Sequence, residues 1–433
     1  MSPFQAGAAG IAVLVLLLFA GMPVAFAMGI VGLAGFSLVV SPPAAMSLVA
    51  LDLYDAFASY NLTVIPLFVL MGQVSLHAGI SRKLFDAAYH WVGFLPGGMA
   101  MATVGACTGF GAICGSGPAT AATMASVALP EMRRFNYSMQ LGSGAVAAGG
   151  SLGMLIPPSV VFICYAVMTE QSIGRLFIAG IVPGLLIAAL FCLTIWLQCL
   201  IDPKLGPVAP RTPLAAKLKS LLGVSDTVFL FVLVMGGMFA GIFTPTEAAG
   251  VGAGGSLVVA WARRKLTRRM LAQSLKETAR TSCMVLIIIA GAVMFGHFLA
   301  VTRIPSELAG WLSGLSLPGW VIIAFIIVFF LLAGCFVDAL ALVMLTIPVF
   351  YPVVTRLGLD PVWFGVIVVV VTQMGVISPP VGVNVYVVSG IERDVLLQTV
   401  FKGSMPFLLT LVVAAAILVA FPQISLWLPN LVR

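Results

Sequence analysis

The feature that most constrains this chain is the recurrence of apolar runs long enough to cross a lipid bilayer. Hydrophobic residues make up 61% of its 433 residues and charged residues only 8%, whereas soluble domains carry about 25% charged residues. A membrane-spanning helix needs about 20 apolar residues, so the chain has room for roughly ten to twelve crossings. The alternating segments of about ten residues that form a membrane β-barrel do not occur in the sequence. We therefore predict a single all-α polytopic membrane domain.

Glycines and prolines of the two halves coincide at one fixed offset. The offset is 222 residues (379 minus 157), and the identical positions that it relates include five Gly or Pro residues of each half. The identities place Pro23 on Pro245, Gly32 on Gly254, Gly153 on Gly375, and Pro157-Pro158 on Pro379-Pro380. This pattern indicates an internal duplication, with a first repeat at 1–200, a connector at 201–223 and a second repeat at 224–433.

The distribution of charge predicts that the two repeats face opposite sides of the membrane. Residues 263–280 contain seven Lys or Arg, whereas the equivalent residues 41–59 contain none and carry Asp52 and Asp55. Short cytoplasmic loops are enriched in Lys and Arg, so the two segments should lie on opposite sides. The remaining basic residues fit if each half crosses five times. We therefore predict two inverted-topology repeats, which are typical of secondary transporters.

Each half contains a Gly-rich stretch too short to cross the membrane twice as ordinary helices. These stretches are residues 97–132 and 318–353, and each is predicted to form a re-entrant helical hairpin. Irregular backbone at membrane depth is tolerated where it is buried in protein or lines an aqueous cavity. The hairpin tips should therefore line a site.

A proline pair interrupts the helix that follows each hairpin, at about 137–170 and 361–392. Proline removes a backbone donor and clashes with the preceding turn, so each pair should break its helix. A break frees carbonyl oxygens, which suit a small hard cation such as Na+, and it starts a new helix whose N-H groups and partial positive charge suit a carboxylate. Paired broken helices in inverted repeats indicate a transport site.

Asp338 is an ionisable residue inside an otherwise apolar hairpin. Such a residue is costly in a membrane unless it faces a cavity or a partner, which favours a role in the transport site. The alternative is that it caps a helix. For the Ser and Thr residues of these elements, the alternative is that they pack as small residues and bond to their own helix. Glu247, in Thr244-Pro245-Thr246-Glu247, is predicted to cap a helix start.

These considerations define two candidate groups of site residues. The candidate sodium ligands come from the hairpin tips and the first side of each break: Gly115, Ser116, Thr120, Gly153, Pro157, Gly334, Asp338, Gly375, Ser378 and Pro379. The candidate substrate-binding residues follow the breaks: Pro158, Ser159, Pro380, Val381, Gly382 and Asn384.

The sequence offers no support for an enzyme. His77, His90 and His297 are isolated along the chain, and we expect no paired carboxylate for them. Neither a Ser/His/Asp order, a His-Glu-x-x-His motif nor a phosphate-binding loop occurs. The seven cysteines form no CxxC pair, so we interpret them as packing residues.

Several motifs resemble the DctM-like large membrane subunit of tripartite ATP-independent periplasmic (TRAP) transporters, over nearly the whole chain. They occur in the family's order: Gly115-Ser116-x-x-Ala119, Leu129-Pro130-Glu131-Met132, Leu152-Gly153-Met154-Leu155-Ile156-Pro157-Pro158-Ser159, Phe177-x-Ala179-Gly180-x-x-Pro183-Gly184, Phe243-Thr244-Pro245-Thr246-Glu247-Ala248-Ala249, Gly334-x-Phe336-x-Asp338 and Pro379-Pro380-Val381-Gly382-x-Asn384. Ser378 stands where the family pattern leads us to expect threonine, which keeps the hydroxyl.

The resemblance implies a sodium-coupled importer of organic acids, such as C4-dicarboxylates, sialic acid or other sugar acids, in the bacterial inner membrane. It implies an elevator-type fold, in which the hairpins and broken helices carry substrate and Na+ across the membrane against a scaffold. It also implies two partners, a small four-helix membrane subunit (DctQ-like) and a periplasmic substrate-binding protein (DctP-like). The alternative is a divalent-anion/sodium symporter of a related inverted-repeat family that works without a binding protein.

Overall fold

The computed structural model describes residues 2–314 and 318–431, and these residues are helical almost throughout. Within those two ranges no β-strand occurs. In the same ranges, six helices are long and apolar enough to cross a membrane, and several shorter apolar helices accompany them. The prediction of an all-α polytopic membrane protein is confirmed.

The first half begins with two apolar helices and ends with a long one. Its helices are α1 Pro3–Phe19, α2 Val24–Val39, α3 Pro42–Ala58, α4 Val64–His77, α5 Ile80–Val92, α6 Gly98–Cys114, α7 Gly117–Arg134, α8 Met139–Ser151, α9 Val160–Thr169 and α10 Ile173–Ile201, with 3-10 turns at Tyr60–Thr63 and Leu152–Met154.

The first helix after α10 starts at Leu214, within residues 201–223, which are predicted to form the connector. The helices from this point onward are α11 Leu214–Phe231, α12 Gly237–Phe239, α13 Pro245–Ala262, α14 Arg268–Thr302, α15 Ile304–Gly314, α16 Gly319–Gly334, α17 Ala339–Arg356, α18 Pro361–Gly375, α19 Val383–Ile391, α20 Leu397–Ala420 and α21 Gln423–Leu431, with a π-helical turn at Val232–Gly236 between α11 and α12.

Side-chain caps fix where several of these helices begin. Thr244 precedes α13, and its side chain accepts a hydrogen bond from the Glu247 N-H while the Glu247 carboxylate accepts one from the Thr244 N-H at 2.8 Å. This reciprocal arrangement satisfies two otherwise unpaired backbone donors. The prediction that Glu247 caps a helix start is confirmed.

Small residues allow α2 and α14 to pack closely. A Cβ added to Gly32 would lie 2.7 Å from the Met294 carbonyl carbon, and one added to Gly291 would lie 2.3 Å from the Ala25 carbonyl oxygen. Helices in a membrane associate largely through such close packing, because lipid and side chains are equally apolar. The pair therefore forms a tightly packed frame beside the hairpins.

One side-chain contact joins two residues that are separated by the repeat offset. Ser151, at the end of α8, donates a hydrogen bond of 3.3 Å to the Gln373 side-chain oxygen, near the end of α18. A residue can meet its own repeat equivalent only near an axis that relates the two repeats. The contact is the one expected of inverted repeats, which themselves stay a prediction.

Candidate functional site

The tip of the first hairpin is a two-residue connection between α6 and α7. Gly115 takes a left-handed conformation with φ of +65°, which glycine adopts without steric cost. Ser116 follows as the N-cap of α7, and its hydroxyl accepts a hydrogen bond of 3.5 Å from the Ala119 N-H. The tip thus ends with a serine oxygen at the N-terminus of a membrane helix.

The first helix break lies directly against this tip. Helix α8 ends at Ser151, and Ser159 caps the start of α9 by accepting a hydrogen bond from the Phe162 N-H at 3.4 Å. The Val160 N-H donates to the Gly115 carbonyl oxygen at 3.3 Å. This bond fastens the restarted helix to the hairpin tip.

Close backbone packing explains the glycine at the first break. A Cβ added to Gly153 would lie 2.7 Å from Thr120 Oγ1 and 2.9 Å from the Ser116 carbonyl oxygen. Thr120 is buried, and its hydroxyl donates to that same carbonyl at 2.8 Å. Thr120 therefore bonds to the backbone at the start of its own helix. This is the structural alternative to a role as a sodium ligand.

The tip of the second hairpin is longer, with four residues between α16 and α17. Asp338 is the N-cap of α17, where its carboxylate accepts a hydrogen bond of 3.1 Å from the Leu340 N-H. The Cys335 carbonyl oxygen accepts a bond of 3.2 Å from the Val381 N-H, next to the second proline pair. The second tip and the second break are therefore joined as in the first half.

The second break also repeats the glycine contact of the first. A Cβ added to Gly375 would lie 2.7 Å from the Gly334 carbonyl carbon. Ser378 is buried, and its hydroxyl donates to the Gly375 carbonyl at 3.2 Å and lies 3.1 Å from the Cys335 sulfur. Both proline pairs, Pro157-Pro158 and Pro379-Pro380, contain a cis peptide bond.

Both hairpin tips line one cavity of about 270 Å³. Gly115, Ser116 and the first residues of α7 form one side of it, and Asp338 with the first residues of α17 forms another. Among the described residues that line the cavity, Asp338 is the one charged side chain. The fold therefore brings two distant Gly-rich segments of the sequence to a single cavity.

Of the sixteen candidate residues, the cavity is lined by Gly115, Ser116 and Asp338. The other thirteen belong to the hairpins and the two breaks and do not line it. Asn384, for example, is fully buried and donates a hydrogen bond of 3.0 Å to the Ala147 carbonyl in α8. The roles of all these residues stay predictions. The residues that do not line the cavity are Thr120, Gly153, Pro157, Pro158, Ser159, Gly334, Gly375, Ser378, Pro379, Pro380, Val381, Gly382 and Asn384.

Two polar residues of the cavity were missed in the sequence analysis. Gln73 on α4 and Thr281 on α14 line it from outside the hairpins and broken helices. The signal for Gln73 was its position in an apolar run, where an amide is as unusual as an acid. Thr281 lies beside the basic first turns of α14 and offered no comparable signal.

The structure contradicts the expectation for one of the three histidines. His297 lies 3.2 Å from an Asp52 carboxylate oxygen, so the expectation that it lacks a paired carboxylate is wrong. That pair joins α14 to α3, away from the cavity residues. All seven cysteines are free. Among the residues that the structure describes, no group of three His, Cys, Asp or Glu could hold a metal ion.

Comparison with protein families decides the class of the chain. The model of the family described as "Tripartite ATP-independent periplasmic transporter, DctM component" matches residues 11–424. The chain belongs to this DctM family. It is therefore a transport protein of the inner membrane and not an enzyme, and it is the large permease component of a TRAP system.

Several curated relatives are similar over nearly their whole length. The C4-dicarboxylate TRAP transporter large permease protein DctM of Pseudomonas aeruginosa is 38% identical over 396 residues, which is 91% of each chain. The sialic acid TRAP transporter large permease protein SiaM of Vibrio cholerae is 33% identical over 96% of each chain. The 2,3-diketo-L-gulonate TRAP transporter large permease protein YiaN of Escherichia coli is 31% identical over 88% of this chain and 89% of its own.

Two solved structures are similar in fold. The YdaH transporter of Alcanivorax borkumensis has a TM-score of 0.59 at 15% sequence identity, covering 87% of this chain and 88% of that one. MtrF of Neisseria gonorrhoeae has a TM-score of 0.51 at 15% identity, covering 88% of this chain and 84% of that one. At this identity the likeness concerns the fold alone.

Proposed function

We propose that this DctM-family chain imports organic acids together with Na+ by an elevator movement. The observation that carries the proposal is that both hairpin tips, one with Ser116 and one with Asp338, line the same cavity. The substrate class rests on relatives whose names specify C4-dicarboxylate, sialic acid and 2,3-diketo-L-gulonate. We therefore propose a C4-dicarboxylate, sialic acid or another sugar acid as substrate.

Two helix N-termini at the cavity support a carboxylate substrate. Pro118 and Ala119 in the first turn of α7, and Ala339 and Leu340 in the first turn of α17, line it. The first turn of a helix presents free N-H groups and a partial positive charge, which stabilise an anion. A small acid with carboxylates at both ends could contact both helix starts.

The Asp338 carboxylate supports a cation as co-substrate. An anionic substrate in the same cavity would be repelled by this carboxylate, since two negative charges in a poorly hydrated space destabilise each other. A sodium ion held between them removes that repulsion. Its ligands would come from Ser116, Asp338, and carbonyl oxygens at the tips and breaks, including those near Pro157 and Pro379.

The walls of the cavity support an elevator movement. Its tip residues belong to the hairpins and broken helices, α6–α9 and α16–α19, whereas Gln73 and Thr281 belong to α4 and α14. The cavity thus lies between two sets of helices. We propose that α6–α9 and α16–α19 move as one body, carrying substrate and ion past a scaffold formed by the remaining helices.

The proposed partners are those of a tripartite system. The family name denotes three components, so we propose a DctQ-like small membrane subunit and a DctP-like periplasmic binding protein that delivers the acid. This chain is 34% identical to the isethionate TRAP transporter permease protein DctMQ of Oleidesulfovibrio alaskensis. The match covers 64% of the length of that protein.

The inverted repeat can be tested through α14. Its 29-residue interval from Arg268 to His297 spans about 43 Å, more than the roughly 30 Å hydrocarbon core. Asp52 of α3 contacts the His297 end, so α3 and the basic start of α14 should lie on opposite sides. Single cysteines at Ser47 and Lys265, both exposed, should react with an impermeant maleimide from opposite sides. Labelling of both from outside would contradict the inverted arrangement.

Uptake measurements test the function itself. Proteoliposomes holding this chain and its small subunit would receive the cognate binding protein, a panel of labelled organic acids and either a sodium or a proton gradient. We expect uptake of one acid class that requires the binding protein and inward sodium. Uptake driven by a proton gradient without sodium would contradict the coupling, and uptake without the binding protein would support the stand-alone alternative.

A further inference from the structure

A second and larger cavity lies away from the proposed transport site. It is an open cavity of about 1030 Å³ that lies between α5, α6, α10 and α11. Its wall is apolar, with large side chains such as Trp91, Leu95, Leu185 and Phe231. Several of these side chains are exposed at the protein surface, among them Trp91 and Leu185, so the hydrophobic effect favours filling this space with an apolar molecule. In a membrane, that molecule is available as lipid.

The entrance to this cavity is lined with cations. The Lys217 ammonium lies 4.8 Å from the ring centre of Phe94 and 5.7 Å from that of Trp91, and the Arg211 guanidinium lies 5.8 Å from Phe94. Lys219 lines a small polar pocket that shares Ala87 with the large cavity. Aromatic rings that hold a cation in place leave its remaining donors free for an anion.

The basic groups at this entrance exceed the acidic ones. Across residues 2–314 and 318–431, Arg211, Lys217 and Lys219 form no ion pair. Lys83, by contrast, is bonded to Asp226 at 3.1 Å. The small polar pocket contains a single acid, Asp86. The rim therefore presents an excess of positive charge that no described side chain neutralises.

The shape of the cavity matches one leaflet of a bilayer. Its wall follows α11 from Leu221 to Phe231, an interval of about 15 Å along the helix. That is half of the roughly 30 Å hydrocarbon core. Thr227 lies on the same wall, and its buried hydroxyl has no hydrogen-bond partner in the part of the chain that the structure describes. It is a free donor within the depth that acyl chains and their ester groups would occupy.

We propose that this cavity binds an anionic phospholipid. Its acyl chains fill the space between α6 and α11, its phosphate contacts Lys217 and Lys219, and an ester oxygen accepts the Thr227 hydrogen bond. The cavity wall also includes Ile156, next to Pro157. The lipid therefore supports the first hairpin and the first break from the side opposite the transport site.

Lipid titration followed by native mass spectrometry tests the charge requirement. The protein, purified in a mild detergent, would be titrated separately with phosphatidylglycerol and phosphatidylcholine. We expect one tightly bound phosphatidylglycerol, and Lys217→Gln with Lys219→Gln should weaken its binding about 30-fold, since each cation near the surface contributes roughly a fivefold factor. Lys265→Gln with Lys276→Gln, which removes two exposed cations elsewhere, should leave binding unchanged.

A space-filling variant tests the location. A Cβ added to Gly105 on the cavity wall would find its nearest neighbour at 3.8 Å, so a larger side chain can be accommodated. Gly105→Leu should abolish lipid retention while the thermal midpoint stays within a few degrees of wild type. Equal binding of phosphatidylcholine, unchanged binding in Gly105→Leu, or displacement of the lipid by millimolar inorganic phosphate would each overturn the proposal.

Discussion

The two helix breaks share a sequence motif but differ in how deeply they lie in the protein. In the first half, Pro157 and Pro158 are buried, and Ser159 is 0% exposed. In the second half, Pro379 and Pro380 are exposed, and Val381 is 38% exposed. The same residue types therefore occur once inside the core and once at its surface.

The hairpin tips differ in the same direction. The first tip is the two-residue connection Gly115-Ser116, held against α9, whereas the second is a four-residue connection in which Phe336 is 58% exposed. Residues with few buried contacts open at a lower free-energy cost than core residues. We infer that the first half supplies a rigid wall of the site and that the second half is the part free to open.

The largest effect is expected at Asp338. Asn caps helices about as well as Asp, so Asp338→Asn preserves the bond from Leu340 and the α17 start while removing the charge. Sodium-coupled uptake should fall at least about 100-fold, corresponding to roughly 3 kcal/mol for an ionic partner lost inside the protein. The amount of protein in the membrane should not change.

A matched control separates charge from capping. Asp360 caps α18 by accepting bonds from Val362 and Trp363 at 2.8 and 3.1 Å, and it does not line the cavity. Asp360→Asn should leave uptake near the wild-type level. Normal uptake at limiting sodium in Asp338→Asn would make Asp338 a helix cap and nothing more.

A pair of aromatic substitutions tests the difference in burial through stability. Phe162 lies in the first turn after the first break and is fully buried, whereas Tyr386 lies at the start of the helix after the second break and is 51% exposed. Phe162→Ala should lower the free energy of unfolding by about 3 to 5 kcal/mol. Tyr386→Ala should lower it by about 1 kcal/mol or less. Thermal unfolding in detergent would measure both, and equal losses would contradict the rigid-wall assignment.

Cysteine reactivity tests the same difference with a smaller expected effect. In a background without native cysteines, Val381→Cys should react with N-ethylmaleimide about tenfold faster than Ser159→Cys. This ratio is expected if exposure of the buried position requires a local opening with a free-energy cost of roughly 1.4 kcal/mol. Both variants should retain the fold, as judged by elution as a single species. Similar rates would mean that the two breaks are equally accessible.

The parts of the fold that depend on local chemistry could be predicted from the sequence. The first hairpin tip needs a residue such as Gly115 that tolerates a left-handed backbone, and the two proline pairs that lie inside apolar helical segments interrupt those helices. The cap at Thr244 and Glu247 depends on residues three positions apart. Each of these features is decided within a few residues, so a single sequence contains the information.

Features that depend on tertiary packing could not be predicted in the same way. The pairing of His297 with Asp52 joins residues that are far apart in the chain, and nothing in either local sequence indicates the other. The amide of Asn384 bonds to the α8 backbone, although its position after the second proline pair suggested a ligand-binding role. The different burial of the two breaks likewise arises from what packs over them, because both breaks contain the same glycine and proline pair.

The most direct test of a sodium site at the hairpin tips is the sodium dependence of uptake in Ser116→Ala. If the Ser116 hydroxyl contributes about 1 to 2 kcal/mol to the free energy of sodium binding, its removal should raise the sodium concentration for half-maximal uptake about 5- to 30-fold. Ser126→Ala, on the same helix, removes a hydroxyl that bonds to the Thr123 carbonyl and should leave that concentration unchanged. A sodium dependence in Ser116→Ala indistinguishable from wild type would contradict the proposed site.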